Sequence, residues 1–166
     1  MAWFMIDPSN DKEIGAIAHG PVLLARVEGI TVGLQSIMAY SAGLEIAVTV
    51  VGRGIHVEAM KRQYRAPAVI DPQTGKRRPG QVRGRPLRLR ALDDSVLQPV
   101  PRSDNRGWYD TDELYQREYL YEVTGLPPTR DLPLIAEWPE IGLEPVITHL
   151  VLPDPADLAD AIIALP

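Results

Sequence analysis

The sequence predicts a mainly β protein in which two antiparallel sheets pack face to face, with one short helix at the C-terminus. Three observations carry this expectation. Alternating apolar and polar residues recur in short runs, and the run over 31–51 turns back on itself at Ser41-Ala42-Gly43. Sixteen prolines punctuate 166 residues, which favours many short elements over long helices. Capped helical spacing is clearest in one place, after Asp154.

Taken in order, residues 1–20 read as an irregular lead-in, with Pro8 to Asn10 a turn and Gly20-Pro21 a stop. An apolar run over 22–28 reads as a strand. From 31 to 40, Val32, Leu34, Ser36, Met38 and Tyr40 share one face, and Thr31, Gly33, Gln35, Ile37 and Ala39 the other. The following turn contains Gly43, which is free to take a positive φ. In the next run Leu44, Ile46, Val48 and Val50 face inward, against Glu45, Ala47, Thr49 and Val51. This β-branched alternation makes 31–51 the best-defined hairpin of the chain.

Residues 56–65 contain helix formers between Gly54 and Pro67, and the stretch is short enough that a single helical turn or a loop is expected as much as a helix. Gly75 and Pro79-Gly80 mark turns in a basic stretch. Residues 86–92 then alternate Leu87, Leu89 and Ala91 with Arg88, Arg90 and Leu92, a strand with arginines on its wet face. Residues 99–116 read as a long acidic and aromatic loop. Strands follow over 117–124, 132–138 and 146–152, broken by Gly125-Leu126-Pro127-Pro128 and by Pro139. Asp154 caps the final helix, Pro155 takes its first position, and Leu158, Ala161, Ile162 and Leu165 form one apolar stripe.

About seven short strands at regular turn spacing point to an immunoglobulin-like sandwich, with a partly open β-barrel as the alternative. The chain reads as a single domain over 1–166, with 53–90 a basic insertion or hairpin.

Three patches carry a resemblance. They are Gly20-Pro21-Val22-Leu23-Leu24-Ala25-Arg26, then Met38-Ala39-Tyr40-Ser41-Ala42-Gly43-Leu44-Glu45-Ile46, and finally Gly125-Leu126-Pro127-Pro128 with Leu132-Pro133-Leu134-Ile135-Ala136-Glu137-Trp138-Pro139 and the closing helix. In this order and spacing they resemble a family of uncharacterised proteins common in actinobacteria, whose members have a similar tyrosine–turn–glycine hairpin and a similar double-proline, Trp-Pro ending. The resemblance spans both ends of the chain and leaves the basic middle unmatched. It implies a β fold and transfers no activity or site. The chain departs from the family pattern at Val51, where a basic residue would end the hairpin.

A chain of this length buries roughly 70% of its unfolded surface and needs no metal or disulfide to hold a core. With no cysteine, it has no disulfide, thiolate metal site or cysteine nucleophile. Its first residues have no basic region typical of a secretory signal, and no run of about 18 apolar residues could cross a bilayer. The expected location is the cytoplasm, without membrane contact. The net charge of −5 conceals an asymmetry: residues 53–90 contain eleven bases and two acids, a local +9, and the remainder six bases and twenty acids, or −14. Oppositely charged surfaces are expected.

The motifs of common chemistries are missing. His19, His56 and His149 have no ligand-like spacing, and no serine sits in a nucleophile elbow. Gly80, Gly84 and Gly125 form neither a Walker A loop nor a dinucleotide fingerprint. No catalytic residue, metal or cofactor is therefore assigned, and the protein reads as non-enzymatic. Two segments remain. In the 99–116 loop, Trp108 and Tyr109 beside Asp110 and Asp112 could stack a sugar or hold a small ligand, whereas a solvated acidic loop is the plainer reading.

In the basic segment, Arg77, Arg78, Arg83, Arg85, Arg88 and Arg90 could grip an acidic protein surface, another copy of this chain included. The plainer reading is a charged strand edge that resists aggregation. Nucleic acid ranks last, because the chain is acidic overall and only Tyr64 lies nearby for base stacking. The expected function is a structural or protein–protein interaction module using charged surfaces, with a small-ligand or carbohydrate module as the alternative.

Overall fold

The hairpin expected over 31–51 forms the middle of the larger sheet. A computed structural model of the protein describes residues 12–64, 69–78, 84–91, 96–97 and 109–166. The turn expected at Pro8 to Asn10, the Pro79-Gly80 turn, Arg83, Trp108 and most of the 99–116 loop lie outside these residues.

In chain order the elements are β1 (Glu13–Ile14), β2 (Ala16–His19), β3 (Val22–Val27), β4 (Ile30–Tyr40), β5 (Gly43–Arg53) and α1 (His56–Tyr64). Then come β6 (Val69–Ile70), β7 (Arg77–Arg78), β8 (Arg88–Ala91), β9 (Val96–Leu97), β10 (Tyr109–Asp110) and β11 (Leu114–Thr124). The chain closes with β12 (Asp131–Trp138), a 3-10 turn (Pro139–Ile141), β13 (Leu143–Val151), α2 (Pro155–Ala161) and β14 (Ile163–Ala164). The first sheet runs β10-β11-β5-β4-β2, with β3 also on β4, and the second runs β13-β12-β8-β9. Two small ribbons, β1–β14 and β6–β7, complete the pairing, and every pair is antiparallel. The protein is a mainly β, two-sheet antiparallel sandwich, and its sheets do not close into a barrel.

Period-two alternation explains the core. Leu44, Ile46, Val48 and Val50 of β5 are fully buried, as the sequence predicts, and their neighbours in β11 are Val123, Tyr121, Tyr119 and Arg117. The second sheet contributes Leu89, Leu134, Ala136, Trp138 and Leu150. With a single phenylalanine in the chain, tyrosines and a tryptophan supply the bulk, and each brings a polar atom that must be satisfied. The Tyr121 hydroxyl donates to the Leu87 carbonyl at 2.7 Å, and Trp138 Nε1 donates to the Arg85 carbonyl at 2.9 Å. Thr148 of β13 donates to the Leu24 carbonyl of β3 at 2.9 Å and so joins the two sheets. Burial pushes the Tyr119 phenol above its ordinary range, and a backbone hydrogen bond at Leu87 opposes that shift.

The face assignment within β4 needs correction. Val32 and Leu34 do point inward, but Ile37 and Ala39 replace Ser36 and Met38 as the next inward residues. The register steps from Leu34 opposite Val48 to Ser36 opposite Ala47, so Gln35 is the extra residue of a β-bulge. Its side chain is held outside, donating to Thr49 Oγ1 at 2.5 Å and Glu118 Oε1 at 3.1 Å. The bulge keeps Ser36 out of the core and puts Ile37 into it.

Four further expectations change. The lead-in is partly regular, because β1 and β2 pair with β14 and β4. Residues 56–64 form a helix, the reading left open beside a single turn or a loop, so the described residues contain a second α-helix besides the C-terminal one. Val57 and Met60 of α1 are buried, and Gly52 admits Met60, whose Sδ would lie 2.1 Å from any Cβ placed there. The final helix is capped by Asp154, which accepts from the Ala156 N–H at 2.9 Å, but it stops at Ala161. Ile163–Ala164 then pairs with Glu13–Ile14, so only Leu158 is buried and Ile162 half-buried, while Leu165 is 42% exposed.

At the β4–β5 turn, Gly43 has φ +154°, and a Cβ there would sit 1.9 Å from the Val123 carbonyl oxygen. A backbone atom of a central strand cannot step aside as a side-chain tip can. Gly43→Ala is expected to lower stability by about 2–4 kcal/mol, combining strain with displacement of β11. Chemical denaturation checks this, and an unchanged midpoint would remove the requirement for glycine.

Candidate functional site

The basic segment divides into parts with different fates. The β6–β7 ribbon stands at the surface, with Val69 53% and Ile70 62% exposed and Lys76, Arg77 and Arg78 all exposed. A two-stranded ribbon is marginal by itself, so its turn must be well tied. Asp71 does this: Oδ1 accepts from the Gln73 N–H at 2.9 Å and the Thr74 N–H at 3.3 Å, and the Gly75 N–H donates to the Asp71 carbonyl at 2.8 Å. The Gln73 backbone bond is the main reason the Asp71 carboxyl titrates below its ordinary value. Arg78 Nη2 lies 2.7 Å from Asp71 Oδ2. Lys76 and Arg77 make no side-chain hydrogen bond or ion pair among the described residues.

Arg88 and Arg90 are not a wet face. Their strand pairs with β12, where Glu137 is only 8% exposed. Arg90 Nε lies 3.2 Å from Glu137 Oε1, Arg88 Nη1 3.9 Å from the same oxygen, and Arg88 Nη2 3.1 Å from Glu140 Oε1. These half-buried arginines neutralise a buried carboxylate inside the molecule. Their acidic partners follow about fifty residues later in the chain, a pairing no local pattern announces. Arg85 is exposed, and its backbone is structural, accepting from Trp138 and donating to Gln63 Oε1 at 3.2 Å.

The described part of the acidic segment is ordered. Tyr109–Asp110 pairs with Tyr115–Gln116, which corrects the expectation of a loop up to residue 116. Thr111 closes the turn, its Oγ1 accepting from the N–H groups of Glu113 and Leu114 at 3.2 and 3.0 Å. Asp110 and Asp112 are exposed, and Asp112 Oδ1 lies 3.9 Å from Lys61 Nζ. Among the described residues no group of three or more histidines and carboxylates is arranged to hold a metal. The histidines stay apart: His19 Nδ1 is 2.7 Å from the Gly20 carbonyl, His56 opens α1 beside Gly29, and His149 is exposed on β13.

Sequence reading missed two features. Arg117, 5% exposed, lies in the inward row Tyr115-Arg117-Tyr119-Tyr121, with Cζ 5.7 Å from the Tyr119 ring centre. Its placement between tyrosines at period two was the available signal. The other is an open cleft of about 490 Å³ at the β3–β4 turn, lined by Arg26, Glu28, Thr31 and Arg53 among others.

The fold and these surfaces define a two-sheet sandwich that carries a basic ribbon on a largely acidic chain. No family model, curated protein or solved structure matches the chain. No helix among the described residues is long and apolar enough to cross a membrane.

Proposed function

We propose that the protein is a protein–protein interaction module whose partner presents an acidic surface, another copy of this chain included. The observation that carries this reading is the β6–β7 ribbon. It is a tied, projecting hairpin offering two exposed aliphatics and three basic side chains. Apolar contact with Val69 and Ile70 would supply affinity, and the cations would steer approach.

An acidic counterpart exists on the same molecule. On the outer face of the first sheet Glu118 lies opposite Thr49, and Glu122 lies opposite Glu45, which places three carboxylates on one surface. The reading assigns Lys76 and Arg77 to the partner and leaves Arg88 and Arg90 to internal stability, which narrows the basic surface.

Reversing the free charges with Lys76→Glu and Arg77→Glu should leave the melting temperature nearly unchanged, because both residues are exposed. Association, followed by sedimentation of the pure protein and by capture from lysate at low and high salt, should weaken by about tenfold or more and lose its salt dependence. Association untouched by the reversal would overturn the reading. So would tight, salt-dependent binding of DNA or RNA by the unaltered protein.

A further inference from the structure

We propose that the cleft at the β3–β4 turn is a binding site for a small oxyanion, a phosphate or carboxylate group, gripped by Arg26 and Arg53. The open cleft is lined by Arg26, Glu28, Thr31, Val51 and Arg53 with the turn between β3 and β4, and has a volume of about 490 Å³. That is within the size range of small-ligand sites.

Sheet register explains why the groups converge. Arg26 is directly opposite Thr31, and Thr31 is directly opposite Val51, so three adjacent strands place them in one row on the outer face. Arg53 lies two residues beyond Val51, on the same side of β5. Two arginines distant in sequence thus border one concavity whose floor offers a hydroxyl and apolar side chains.

The turn between them is braced. The Arg53 N–H donates to the Gly29 carbonyl at 2.8 Å, tying the β3–β4 turn to the end of β5. Gly29 has φ +76°, and a Cβ there would meet His56 Cδ2 at 2.6 Å, so the helix α1 side chain packs against the turn from behind. A cleft with a fixed floor loses little order when a ligand enters.

Charge identifies the ligand. Arg26 and Arg53 are both exposed, and neither makes a side-chain hydrogen bond or ion pair among the described residues. Two arginines lining one cleft place like charge around it, and an oxyanion between them would accept paired, charge-assisted hydrogen bonds. Glu28 on the rim accepts hydrogen bonds and offers none when ionised. It therefore disfavours extended polyanions and suits an oxyanion with a neighbouring hydroxyl or ammonium group. The site's ligand class is a small phosphorylated or carboxylated compound bearing such a donor. It is separate from the β6–β7 ribbon, so it stands or falls independently of the interaction proposed above.

The test uses the full chain labelled with ¹⁵N and titrated separately with glycerol phosphate and with glycolate, which carry a phosphate or a carboxylate beside a hydroxyl. The expected result is saturable movement of the Gly29, Thr31 and Arg53 amide signals with one or both probes at about millimolar concentration. Glycerol phosphate alone would assign a phosphate ligand, and glycolate alone a carboxylate. Arg26→Gln and Arg53→Gln, each on an exposed side chain, should keep the melting temperature and weaken binding about tenfold apiece. The Lys76→Glu, Arg77→Glu protein should bind as the parent does. No saturable movement with either probe, or binding that survives both arginine substitutions together, would overturn the site.

Discussion

Replacing Val48 with aspartate is expected to abolish folding. Val48 is fully buried in the centre of β5, with Leu34 opposite it on one side and Tyr119 on the other. A carboxylate there is shut off from solvent, and the buried Arg117 lies opposite Val50 with its guanidinium over the Tyr119 ring rather than opposite position 48. The cost is several kcal/mol, comparable with the ~5–15 kcal/mol total stability of a domain. Ala47, one residue earlier, faces outward and is half-buried, so Ala47→Asp should leave a folded protein. Circular dichroism and thermal melting of the two variants read the register directly. A folded Val48→Asp protein beside an unfolded Ala47→Asp protein would mean that the strand is inverted.

Trp138→Ala should be the most damaging truncation in the second sheet, costing about 3–5 kcal/mol. The indole is fully buried at the end of β12, where the register shifts before Pro139, and its Nε1 hydrogen bond ties the start of β8 to the sheet. Removal leaves a cavity and deprives the Arg85 carbonyl of its donor. Trp138→Phe keeps most of the volume but not the N–H, so it should recover the larger part of the loss. Urea unfolding separates the two effects, and an alanine variant as stable as the parent would show that the site collapses without cost.

How much was legible depended on the distance over which each residue's partner lay. The β5 face was readable because Leu44, Ile46, Val48 and Val50 need only a sheet on one side and water on the other. Asp154 was readable as a cap because its acceptor serves an N–H two residues away. By contrast, the short β8 disclosed its alternation but not the role of its arginines. The same pattern describes a wet face and a face covered by Glu137 and Glu140.

Sequence by itself determined the β class, the 31–51 hairpin with its inward valines, the breaks at Gly125 and Pro139, and the cap of α2. Each follows from backbone geometry or side-chain periodicity within a few residues. Only the tertiary structure decided the Gln35 bulge, the capture of Ile163–Ala164 by Glu13–Ile14, the internal pairing of Arg88 and Arg90 with Glu137 and Glu140, and the lining of one cleft by Arg26 and Arg53. The bulged Gln35 bonds to Glu118, across 83 positions, and the sheets are joined by Thr148 and Leu24, across 124. Such contacts form only when separate strands are brought side by side, because the free energy that selects them comes from burying the two sheets against each other.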